Sequence, residues 1–193
     1  MIVETITKEG LTLNIETDDN VESPRREFDN IGRIILFGEH KHLGDDHSYS
    51  DPDEFRDNDE YKKAVVVLPV FLYEHSGITI STKPFSCPWD SGQVGWIVVS
   101  KEKVREGYMV KNITKKTLAL ANKCLEGEIE TLDQYLQGDV YGYSIEDEEE
   151  EVLESCWGFY GLDNATTEAK EMLDAVLAKI KEEGQEIYKI MHL

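Results

Sequence analysis

Six consecutive carboxylates, Glu146, Asp147, Glu148, Glu149, Glu150 and Glu151, separate two segments rich in alternating apolar and polar residues, Val140 to Ile145 and Val152 to Tyr160. Burying an unpaired charge costs several kcal/mol, so a run of six cannot enter a core. The flanking alternation is that of β-strands. The expected local structure is an antiparallel hairpin whose connection, an acidic tip near 146–151, projects into solvent.

The rest of the charge is distributed unevenly. The 193 residues hold 40 acids and 20 bases, a net charge of −20. Residues 16–60 carry fifteen acids and five bases, residues 61–138 eight and ten, and residues 139–193 fifteen and four. Two anionic blocks therefore flank a near-neutral middle. Such a field repels nucleic acid and anionic membrane and attracts basic protein surfaces over a Debye length of roughly 8 Å. A basic protein surface is the expected partner, with no direct nucleic-acid or membrane binding. Asp18, Asp19 and the six tip carboxylates are the candidate partner-binding residues. Same-face positions of a strand recur every ~6.8 Å, so their carboxylates can approximate a phosphate row and two anionic regions can bracket a basic groove as a duplex does.

Length and composition set the class. With 40% hydrophobic residues, three tryptophans, nine tyrosines and six phenylalanines, the chain has the apolar mass for a buried core, which a disordered acidic tail lacks. The opening MIVETITKEG has no basic stretch before an apolar run, and no segment approaches the ~18 apolar residues of a membrane span. A cytoplasmic protein is expected. Cys87, Cys124 and Cys156 show neither CxxC nor zinc spacing and read as free thiols.

Along the chain, Ile2 to Ile6 and Leu11 to Glu16 alternate around a Lys8-Glu9-Gly10 turn, which predicts an opening hairpin. A polar stretch, Asp18 to Asn30, precedes a strand within Ile31 to Phe37. Asp51-Pro52 starts a short helix over 52–62. Val65 to Tyr73 is the most apolar run and predicts a buried strand, with Pro69 marking a bulge or unpaired edge. Ile78 to Ser81 is a return strand, 82–93 a shaped loop and Val94 to Val99 another strand. Ser100 caps a helix beginning KEKVRE. Helical spacing of Leu118, Ala121, Leu125, Ile129, Leu132 and Leu136 predicts a helix over 114–136, which Gly127 is expected to split and Gly138-Asp139 to end. Ala169, Met172, Leu173, Val176, Leu177 and Ile180 define the apolar face of a closing helix over 166–190, with Gly184 expected to interrupt or end it. The fold class is α+β, a mostly antiparallel sheet with flanking helices, in a single domain over 1–193.

Three constellations other than the tip bear on chemistry. His40, His42, Asp45, Asp46 and His47 supply metal-ligating residue types within one loop over 38–49. A metal site usually draws its ligands from separated elements, and no second matching cluster is present, so the loop is read as solvated and no metal is assigned. His75, Ser86, Cys87 and Asp90 contain the residue types of a nucleophile, base and orienter, but no strand-to-helix elbow surrounds them. Pro84, Pro88 and Trp89 are read instead as shaping a rigid loop that Asp90 and Ser91 cap. Arg25-Arg26 lies among acids and is expected to form intramolecular ion pairs that order residues 16–30. No catalytic residue and no cofactor is assigned.

The segments ESPRREFDNIGRI (22–34), HLGDDH (42–47), VLPVFLYEHSGITISTKPFSCPWDSGQVGWIVVSKEKVREGY (67–108), DQYLQGDVYGYSIED (133–147) and ESCWGFYG (154–161) resemble a family of uncharacterised proteins encoded by bacteriophages, prophages and plasmids. The resemblance implies a cytoplasmic protein made from a mobile element in a bacterial host. Small acidic proteins of such elements include DNA-mimicking antirestriction and anti-CRISPR inhibitors. The functional expectation is an inhibitor or modulator of a host nuclease or other defence effector, presenting a DNA-mimic-like anionic surface to a basic groove. The alternatives are a metal-assisted hydrolase built from the 38–49 and 75–91 loops and an accessory protein for the element's own replication or packaging.

Overall fold

Glu9 and Gly10 both adopt positive φ, 51° and 83°. A two-residue turn joining antiparallel strands needs that pair of left-handed residues, and glycine adopts it at little cost. The computed structural model describes the backbone of residues 1–191 and the side chains of residues 1–184. In chain order the elements are β1 (Ile2–Lys8), β2 (Leu11–Thr17), α1 (Pro24–Glu27), β3 (Arg33–Leu36), α2 (Pro52–Asp57), α3 (Asp59–Lys62), β4 (Val66–Glu74), β5 (Ile78–Ser81), β6 (Ser91–Val99), α4 (Lys101–Gly107), α5 (Lys115–Gln137), β7 (Val140–Glu146), β8 (Val152–Tyr160) and α6 (Leu162–Met191). A 3₁₀ turn, Gly38–Leu43, follows β3. Two wholly antiparallel four-stranded sheets with packed helices make the fold α+β.

The chain divides into two compact units, Met1–Val21 with Gly138–Leu193, and Glu22–Gln137. Where the sequence suggests one domain without a linker, each unit has its own sheet and core. The division arises because β2 pairs with β7, so that residues 22–137 form an insertion between neighbouring strands of one sheet.

In the first unit the strand order is β1-β2-β7-β8. Leu11, Leu13, Ile15, Tyr143 and Ile145 face Ala165, Ala169, Leu173 and Leu177 of α6. These helical positions recur at every fourth residue, the spacing that keeps one stripe against a sheet. Met172 and Ile180, placed on the apolar face by sequence, are 37% and 46% exposed at the margins of that stripe. The helix runs through Gly184 rather than ending there. A single glycine costs a helix only about 1 kcal/mol, too little to break a long one.

In the second unit the order is β3-β6-β4-β5. One face packs Ile34, Leu36, Val70, Leu72, Ile97 and Val99 against Ala121, Leu125, Ile129 and Leu132 of α5. That helix continues across Gly127. It starts after Thr114, whose hydroxyl accepts the Thr117 N–H, and stops before Gly138 at φ 71°. Ser100 caps α4 by accepting the Lys103 N–H. The expected 52–62 helix is two helices, because Asn58 leaves helical geometry at ψ 155° and its side chain caps α3. Pro69 pairs with Trp96 on one side only, since β5 reaches just Phe71 to Glu74, so the proline occupies the expected unpaired edge.

The other face of this sheet carries an aromatic layer in which Phe55 is fully buried among Phe37, Tyr49, Tyr61 and Trp96. Tyr49 donates its hydroxyl to Glu60 (2.6 Å). Burial first, and then that carboxylate, pushes its pKa from 10.0 up to about 12. The phenol keeps its proton in the folded state after it would lose it unfolded, so its stabilisation is complete below pH ~10 and is lost as pH rises through ~12. Tyr49→Phe is expected to cost about 1 kcal/mol at neutral pH. It should also shift the alkaline unfolding midpoint upward, read by circular dichroism.

Candidate functional site

The acidic tip is a built turn. Asp147 Oδ1 accepts the N–H groups of Glu149 (2.9 Å) and Glu151 (3.0 Å), and the Asp147 N–H donates to the Glu151 carbonyl (3.1 Å). Glu150 takes φ 64°, and the side chains of Glu148 to Glu151 are exposed. Asp147 thus organises the backbone, Glu146 accepts from the Ser144 hydroxyl, and Glu148 to Glu151 present exposed carboxylates. Among the described residues, none of Glu146 to Glu151 and neither Asp18 nor Asp19 takes part in an ion pair.

The eight candidate residues do not form one patch. Antiparallel pairing sets Thr17 opposite Tyr141 and Thr12 opposite Glu146. Asp18 donates its N–H to Val140 at the start of β7 (2.8 Å), whereas the tip follows the end of β7. Seven residues at ~3.4 Å each separate the two ends by about 20 Å. The tip instead adjoins the first hairpin turn, where the Glu148 carboxylate stands 3.0 Å from the position a Cβ on Gly10 would take.

The 16–60 acidic block is divided as well. Glu16, Asp18 and Asp19 belong to the first unit and the rest to the second, where many are consumed internally. Asp45 pairs with Arg25, Glu60 with Arg33, Asp53 with Arg56, Asp57 with Lys62 and Asp59 with Lys63. Asp51 caps α2 through the N–H groups of Asp53 and Glu54. Five of the twelve acids in residues 22–60 are thus ion-paired, and the other seven enter no ion pair among the described residues. By unit, the first holds twenty acids and five bases, a formal charge of −15, and the second twenty acids and fifteen bases, a charge of −5. Three quarters of the net charge belongs to the first unit.

Arg25 forms the ion pairs expected of the Arg25-Arg26 pair, but with distant partners. Its guanidinium meets Asp45 (2.6 and 3.2 Å), Glu128 (2.8 Å) and the Gly32 carbonyl (2.7 Å). Glu128, on α5, also accepts the N–H groups of Ile31 (2.8 Å) and Gly32 (3.0 Å). Burial opposes the charge on Arg25, and the paired carboxylates overcome it and raise its pKa above the usual value. The network pins residues 22–34 to the helix. Beside it lies a cavity of about 630 Å³ lined by Arg25, Arg33, Asp45, Glu60 and Lys63 among others. Its walls carry both signs, of which Arg25 pairs with Asp45, Arg33 with Glu60 and Lys63 with Asp59.

The three loop histidines face different partners. His40 Nε2 lies 3.3 Å from Glu74, His42 Nδ1 lies 3.1 Å from the Glu39 carbonyl, and His47 Nε2 donates to the Leu36 carbonyl (2.7 Å) while its ring stacks on Tyr49. Among the described residues no three His, Cys, Asp or Glu side chains converge as a metal ligand set. In the 75–91 loop the carboxylate of Asp90 stands between His75 (3.9 Å) and Cys87 (3.5 Å). A nucleophile needs its base in the middle, and here the acid occupies that place. Ser91 donates to the Cys87 carbonyl, in keeping with a capped loop, and Trp89 is 91% exposed.

Trp157, Phe159 and Tyr160 follow closely along β8. The structure separates them. Phe159 stacks on Tyr143 beneath α6, while Trp157 is 48% exposed and packs on Gly142. The signal for this was a glycine inside each of the strands VYGYSIE and VLESCWGFY, since strand glycines mark bulges and close approach.

No helix among the described residues is long and apolar enough to cross a membrane. In comparisons with known proteins the chain matches no family model, no curated protein and no solved structure.

Proposed function

We propose that this is a mobile-element-encoded protein that inhibits or modulates a host defence or nucleic-acid-handling protein, its first unit occupying a basic groove as a DNA-like anionic ligand. The observation that supports this reading most is the −15 charge of that unit combined with carboxylates at the tip that no lysine or arginine neutralises. Surface carboxylates engaged in ion pairs offer little to a partner, whereas free ones steer encounter and set register. Glu148 reaches the first hairpin turn at Gly10, so the anionic edge runs from the tip to that turn, where Glu9 is already paired with Lys181.

The immediate test is capture from a bacterial lysate on immobilised protein at low and high salt. A defined basic protein retained at low salt, released at high salt and not retained by a tip-neutralised variant is the expected result. Retention that survives high salt and ignores the tip would remove electrostatics from the mechanism.

A further inference from the structure

We propose that the face of the β1-β2-β7-β8 sheet turned away from α6 is a receptor for an arginine side chain, with the Trp157 indole as stacking platform and Glu16 as counter-charge. The proposal rests on the reading above, in which the partner is basic, and assigns that partner one anchoring side chain.

The pairing of β7 with β8 sets the platform. Tyr143 stands opposite Cys156, and Tyr143 and Phe159 stack with ring centroids 5.6 Å apart on the α6 side. Side chains alternate along a strand, so Trp157 projects to the opposite face. The register shifts between Tyr141 and Tyr143, leaving Trp157 and Gly158 against the single residue Gly142, and Gly158 takes φ 84° as such a bulge requires. At Gly142 a Cβ would overlap the six-membered ring of the indole, so the ring is seated on bare backbone. Half of the side chain remains open to solvent.

What surrounds the indole selects its occupant. Gly142 pairs with Glu16 of β2, so the Glu16 carboxylate shares this face one strand away, and no ion pair engages it among the described residues. The neighbouring same-face residues Asn14 and Ser144 are polar, Asn14 accepting from Thr5 and Ser144 donating to Glu146. Between the indole and Glu16 the face is therefore polar. A second copy of the chain is opposed by the −15 that the first unit of each copy carries. A guanidinium satisfies both partners, because it stacks on an aromatic face and meets a carboxylate in its own plane, while a more strongly hydrated ammonium does so less well.

The test titrates the full-length protein with nona-arginine and nona-lysine peptides at low ionic strength, by calorimetry. The wild type should bind the arginine peptide more tightly. Trp157→Ala should lower that affinity about tenfold and abolish the preference. Gly142→Ala should act like Trp157→Ala by dislodging the ring. Glu16→Gln, which cannot disturb the core, should reduce the preference without moving the melting temperature. Equal affinity of the wild type for the two peptides, or unchanged arginine affinity in Trp157→Ala, overturns the platform. If a tip-neutralised variant then loses both peptides while Trp157→Ala loses neither, the anionic reading stands and the platform falls. Absence of binding by either peptide to the wild type removes both.

Discussion

Replacement of Arg25 by methionine should destabilise the Glu22–Gln137 unit by about 3–5 kcal/mol, the cost of leaving buried charges without their partner. The side chains of Arg25, Glu128 and Asp45 are 6%, 9% and 22% exposed, so both carboxylates facing the guanidinium are largely shielded from water. Asp45 also holds the Ile34 N–H (2.8 Å), and Glu128 holds those of Ile31 and Gly32. Loss of the cation therefore sets two carboxylates against each other at the point where β3 begins. Lysine is no substitute, because one ammonium cannot span Asp45, Glu128 and the Gly32 carbonyl as a planar fork does. Urea unfolding followed by Trp96 fluorescence measures the loss. Arg25→Met combined with Glu128→Gln should recover part of it, since the second change relieves the charge conflict created by the first. A single variant within 1 kcal/mol of wild type would show that the network is not a pin.

How much of this was legible in the sequence depended on range. The opening hairpin, the acidic tip and the helix of Leu118 to Leu136 follow from residues within a few positions of each other, and the structure has them. The split of the 52–62 helix hung on a single cap, Asn58, whose side chain competes with the backbone. The two-unit organisation was out of reach, because it is created by pairing Leu13 with Ile145 across the whole insertion and leaves no compositional linker at residue 21 or 137. For the same reason, acids near one another in sequence at 16–60 end in different units with different fates: Asp18 and Asp19 outside any ion pair among the described residues, Asp45 and Glu60 paired with arginines. Charge counts alone do not distinguish a carboxylate that seats an arginine from one offered to a partner.

Neutralising the tip should have the largest effect on binding. Glutamine at Glu146, Glu148, Glu149, Glu150 and Glu151, with asparagine at Asp147, removes six charges and retains the oxygen that accepts the Glu149 and Glu151 N–H groups. The turn should persist and thermal unfolding should be unchanged or slightly raised, since like charges no longer repel across it. Exposed ion pairs contribute roughly 0.2–1 kcal/mol each, so losing six amounts to about 3 kcal/mol, or on the order of a hundredfold in affinity for a basic partner. Asp147→Ala alone is the useful contrast, because it removes one charge and also opens the turn. Affinity measured by surface plasmon resonance against the captured partner separates charge from shape.

The decisive measurement is the salt dependence of that same affinity, determined for the wild type and for the tip-neutralised variant. If the anionic unit is the ligand, wild-type affinity falls steeply with added salt, mainly through the association rate, and the variant shows a much flatter dependence from a weaker starting point. Two superimposable, salt-independent curves would contradict it.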